Sequence, residues 1–114
     1  MALRRNNLAE LLRDRGDCSA AEPLLAEAVA AAASALGPTH STTALYVSNL
    51  AGVQKAQGRW ADAEANYRRA ADIDCANLGE GHPDCAIHWN NLGSVFQVLQ
   101  QRTRSMNAVY EGCL

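Results

Sequence analysis

Two histidines and two cysteines crowd one stretch of the chain, and they are the side chains best suited to chemistry. In His82-x2-Cys85-x2-His88, Cys85 and His88 stand three apart, which puts them on one face of a helix, and Cys75 lies across the preceding loop. Zinc takes four nitrogen or sulfur ligands in a closed tetrahedron, and these four residues match that demand in kind. The competing reading comes from His40, which precedes His82 by 42 residues and has Thr43 and Tyr46 where His82 has Cys85 and His88. A loop histidine that recurs without its companions reads as a capping or loop-packing residue, so no metal is expected. Cys75 and Cys85 flank one loop on antiparallel helices and are within reach of each other. With no C-x-x-C spacing, they are expected as small thiols rather than a bridge. No G-x-S-x-G, Gly-rich phosphate loop, H-E-x-x-H or carboxylate pair is present, so neither catalytic residues nor a cofactor are expected.

The second chemical signal is a ladder of amides. Trp89-Asn90-Asn91-Leu92-Gly93 is echoed by Val47-Ser48-Asn49-Leu50-Ala51 and by Arg5-Asn6-Asn7-Leu8-Ala9. Asn7 to Asn49 and Asn49 to Asn91 are each 42 positions. A period of this size marks stacked helical units, not a compact enzyme core.

The totals agree. The chain has 114 residues, enough for one domain with a modest core, and only one Phe, two Trp and three Tyr to fill it. Leu, Val and abundant Ala must do the rest, and Ala favours helix. Ten basic against twelve acidic residues give a net charge of −2, which offers no electrostatic case for nucleic acid. Met1-Ala2-Leu3-Arg4-Arg5 has the look of a basic leader start, but Glu10, Arg13 and Asp14 interrupt any apolar segment behind it. The longest charge-free run, Ala28 to Gln54, is broken by Gly37-Pro38, so no membrane span and no membrane partner are expected. The expected setting is cytoplasmic.

Helical spacing of Leu3, Leu8, Leu11 and Leu12 predicts a helix over roughly 3–15. Gly16 ends it, and Asp17 or Ser19 caps a second helix running to about Leu36. The plan then repeats: a helix from about Ser41 to Gln57, a turn at Gly58, and a helix from about Trp60 to Leu78. The third unit opens at Pro83. Gln100 occupies its turn position, and Ser105 and Gly112 weaken its second helix, which is expected to be short or poorly docked. The reading is all-α: one domain over 1–114, with units of roughly 1–40, 41–82 and 83–114, the last incomplete.

Trp89-x2-Leu92-Gly93-x2-Phe96, Ala63-x3-Tyr67 and Ala21-x3-Leu25 resemble the signatures of tetratricopeptide repeats, whose usual period is about 34. The longer unit here, with Asn6-Asn7-Leu8-Ala9, Ala21-Glu22-Pro23-Leu24 and Leu78-Gly79-Glu80-Gly81-His82-Pro83, is similar to the kinesin light chain type. The resemblance implies a right-handed helical-hairpin solenoid of about two and a half to three repeats, its concave wall built from the first helix of each pair. On that wall it places Asn6, Asn7, Ser48, Asn49, Asn90 and Asn91, with Arg13, Lys55 and Gln97 a turn or two further on. An amide has both a donor and an acceptor and can grip a peptide backbone. The other reading is that these amides tie neighbouring helices together.

Two departures bear on the ligand. Kinesin light chains carry a basic residue 17 before the groove Asn, to meet acidic cargo peptides; here those positions are Ala32 and Asp74. Chaperone adaptors of the wider family clamp a C-terminal carboxylate with a Lys, Asn and Arg set. Of the corresponding Asn6, Glu10, Asn49, Ile87 and Asn91, only Asn49 matches. The expected function is a non-catalytic adaptor or scaffold module that binds a protein or peptide in an Asn-lined groove. The alternative is a piece of a longer array that self-associates through its C-terminal helix.

Overall fold

A computed structural model describes the backbone of residues 2–79 and 81–112, and the side chains of 3–79 and 81–101. It contains five helices: α1 (Ala2–Asp14), α2 (Cys18–Leu36), α3 (Ser41–Ala56), α4 (Trp60–Leu78) and α5 (Pro83–Gly112). Each packs chiefly on its neighbours in the chain, α1 on α2, α2 on α3, α3 on α4 and α4 on α5. Two helical hairpins followed by a fifth helix make two and a half units of a helical-hairpin solenoid.

The repeat is written into the core. Ala9, Ala21, Leu25 and Val53 are buried together between α1, α2 and α3. Their counterparts Ala51, Ala63, Tyr67 and Val95 are buried between α3, α4 and α5, with Leu92 beside them and Trp60 packed at the edge. Alanine at the tightest points lets helix backbones approach closely, while one large residue per unit, Leu25 or Tyr67, fills the remaining space. By length and composition α2 could cross a membrane. In this fold its Ala21, Leu25, Ala28 and Ala32 face neighbouring helices, and its Glu22 and Glu27 meet Arg59 and Arg5.

The turns inside the hairpins, at Gly16 and Gly58, take φ values of 84° and 79°, where a Cβ would be strained. At Gln100 no such turn forms. The helix runs through it to Gly112, because a residue with a Cβ resists the left-handed conformation and Gln is a good helix former. The fifth helix therefore stays unfolded from itself, and a face meant for a hairpin partner is left open. Trp89 and Phe96 are 46% and 44% exposed, whereas their counterparts Val47 and Gln54 are 0% and 6% exposed. Trp89 is thus half-exposed, while Trp60 packs against the core. Cys113 and Leu114, and the side chains of Ser105 and Val109, lie outside the described residues.

Candidate peptide-binding groove

The amide ladder divides into bonded and unbonded members. Asn49 donates through Nδ2 to Oδ1 of Asn6 at 2.9 Å, joining α3 to α1, and Asn6 is buried. Lys55 Nζ donates to Ser94 Oγ at 3.1 Å, joining α3 to α5. These three expected groove residues therefore clasp successive first helices, as the second reading of the ladder required. Asn7, Ser48, Asn90, Asn91 and Gln97 make no side-chain hydrogen bond among the described residues; Asn7, Asn90 and Gln97 are exposed, Ser48 and Asn91 half-buried. Arg13 reaches from α1 across Gly52 of α3, its guanidinium 2.9 Å from where a Cβ on that glycine would stand. Burial pushes the phenol pKa of Tyr67 up, and the nearby charge of Arg13 pulls it back.

A cavity of about 490 Å³ opens between the N-terminal halves of α3 and α5, over the end of α4. Leu45, Leu78 and Ile87 give it apolar walls, and Ser48 links it to the ladder. Asp74 and His88 line it from two different helices, with His88 Nε2 and Asp74 Oδ2 2.5 Å apart. The two residues are only 6% and 7% exposed. Asp74 Oδ1 and His88 Nδ1 are buried with no hydrogen-bond partner among the described residues. At the rim, His82 Nδ1 accepts from the Asp84 backbone N–H at 3.1 Å and so caps α5. His40 does the same for α3, accepting from Thr42 N–H at 3.0 Å, which agrees with the capping role read from the repeat.

The four zinc candidates have other partners. Cys75 and Cys85 form a disulfide between α4 and α5, their Cα atoms 5.2 Å apart, which corrects the expectation of free thiols. His82 caps a helix and His88 meets Asp74. A carboxylate–imidazole pair can act as a general base, but no hydroxyl among the described residues is bonded to the ring's other nitrogen.

The Asp74–His88 pair is the feature that sequence reasoning missed, although a signal was there. Register by 42 sets Asp74 over Ala32 and His88 over Tyr46, so a small residue and an aromatic have both given way to polar partners at facing positions. One substitution alone reads as surface drift; two that complement each other read as a built contact.

The match to known proteins bears out the repeat. A search of curated proteins finds no matching relative. The profile of the tetratricopeptide repeat matches residues 1–76 and again 42–105, so that two overlapping matches cover most of the five helices. Repeats of this kind are non-catalytic and generally mediate protein–protein interaction. With its hairpins, its recurring alanines and that match in agreement, the chain belongs to the tetratricopeptide repeat family.

Proposed function

We propose that this chain is an adaptor or scaffold module of the kinesin light chain kind, holding an extended peptide from a partner protein along its first helices. The observation that carries the reading is the set of unbonded amides. Asn7, Asn90 and Asn91 make no side-chain hydrogen bond among the described residues, and Ser48 of the same ladder lines a cavity with apolar walls. Asn49, Lys55 and Arg13 hold the wall in shape while remaining at the groove's edge. The test is selection of a displayed random-peptide library on the wild type, followed by titration of the selected peptides against an Asn7→Ala, Asn91→Ala variant. These two side chains bond no other described residue, so the variant should stay folded and lose affinity by about tenfold or more. Equal binding by both proteins would end the reading.

A second reading is favoured by the open face of α5. Trp89 and Phe96 stand where the second unit buries Val47 and Gln54, and a second copy covering them would give a dimer. Sedimentation of the wild type beside Trp89→Ser decides it, a monomer in both cases counting against self-association. The cytoplasm remains the proposed location. Disulfides persist chiefly in oxidising compartments, so this location implies that Cys75 and Cys85 are reduced in cells, which mass analysis of alkylated lysate protein reads directly.

A further inference from the structure

We infer that the cavity between α3 and α5 is a subsite for a lysine or arginine side chain of the peptide held in the groove. This rests on the groove reading and adds the chemistry of the partner to it. Among the described residues, two carboxylates line the cavity, Asp74 deep in it and Asp84 at the rim, and no Lys or Arg does. Asp74 is held there by His88, whose Nε2 lies 2.5 Å from Oδ2.

The pair is incompletely satisfied where it stands. Asp74 is 6% exposed, and its Oδ1 has no donor among the described residues. Buried carboxylate oxygens are almost always hydrogen-bonded, so the charge of this one is incompletely offset beside the cavity. Oδ1 itself is closed to solvent, so an ammonium or guanidinium in the cavity is drawn by the charge of the two carboxylates and not by a bond to that oxygen.

The walls suit the same occupant. Leu45 and Ile87 flank the approach, and a Lys or Arg carries an aliphatic stem that packs on such surface while its head goes to the acid. Asp74 on α4 and Asp84 on α5 are each followed directly by a member of the Cys75–Cys85 pair, and the packing of these two helices sets the spacing of the carboxylates. At the corresponding place in the preceding unit stand Ala32 and Tyr46, which offer no charge.

The test is the same displayed random-peptide selection. The selected peptides are then titrated against wild type, Asp84→Asn, and a double variant, Asp74→Ala with His88→Tyr. The double variant copies the Ala32 and Tyr46 arrangement that the chain already folds around, and circular dichroism checks it. The expected result is a shared Lys or Arg in the selected peptides. Acetylating that lysine, or replacing the arginine by citrulline, should weaken binding by about tenfold. The double variant should lose about as much and Asp84→Asn about threefold, with no further loss when the neutralised peptide meets the double variant. Peptides that carry no essential basic residue, or that bind all three proteins alike, overturn the subsite while leaving the groove. Failure to select any peptide brings down the groove reading and the subsite with it.

Discussion

The chain passes from a second helix to the next first helix twice, at 37–40 and at 79–82, and the two junctions share their backbone frame but differ beneath it. Gly37 and Gly79 take φ values of 105° and 91°, and their carbonyls accept from the N–H of His40 and His82. Those two histidines then cap α3 and α5 in the same way. Below the frame, the first junction buries Tyr46 against Ala28 and Ala32, and Thr43 Oγ1 donates to the Gly37 carbonyl at 2.8 Å. The second has Asp74 and His88 in place of Ala32 and Tyr46, and the Cys75–Cys85 bond where the first has Ala33 and Thr43. The frame is set by residues that only glycine and a capping side chain can supply. What lies under it is free to be apolar, ionic or covalent, provided that both partners change together.

That proviso makes the largest prediction. His88→Ala leaves the Asp74 carboxylate buried without its partner, and breaking such a pair costs about 3–5 kcal/mol. Asp74→Ala with His88→Tyr, which transplants the first junction into the second, should fall within about 1 kcal/mol of wild type or exceed it. Urea unfolding of both variants reads the difference. Should the single and double variants prove equally unstable, the two junctions are not interchangeable and the comparison fails at its centre.

Next in size is the covalent tie. Cys75 and Cys85 are 10 residues apart, and closing a loop of that length in the unfolded chain is worth about 2–3 kcal/mol in the chain-entropy view. Melting with and without reductant should show that loss. A Cys75→Ala, Cys85→Thr variant should recover part of it if the new hydroxyl reaches the Gly79 carbonyl as Thr43 reaches that of Gly37. In the first junction, Thr43→Val should cost only about 1 kcal/mol, the net worth of one hydrogen bond.

How much of this was legible depends on what each feature answers to. The helices, the Gly16 and Gly58 turns and the alanine core follow from local propensity and a 42-residue register, both plain in the residues. The capping by His40 and His82 was legible because it recurs. The continuous α5 was not: a missing glycine marks a weak turn, but whether the chain still bends there depends on packing that the residues do not list. The disulfide escaped for a similar reason. Spacing brought Cys75 and Cys85 near each other, and only the pitch between α4 and α5 set their Cα atoms 5.2 Å apart. In the groove, residue types predicted amides on the first helices, but not which of them are spent on each other. The bond from Asn49 to Asn6 depends on the angle between α1 and α3, a tertiary quantity that sequence register leaves open.

The smallest prediction concerns what the junctions share. His40 and His82 each accept one backbone N–H, at 3.0 Å and 3.1 Å, from the residue two places on. Replacing either by alanine removes a helix cap and should cost about 0.5–1 kcal/mol, while asparagine, which caps as well, should cost almost nothing. The informative quantity is the match between the two sites. If the frame is common to both junctions, His40→Ala and His82→Ala lose the same amount, whatever lies beneath them. A larger loss at His82 would mean that its ring also holds the mouth of the cavity it lines, and that frame and filling are coupled in the second junction alone. Asparagine then separates the two roles, since it restores the cap without replacing the bulk of the imidazole.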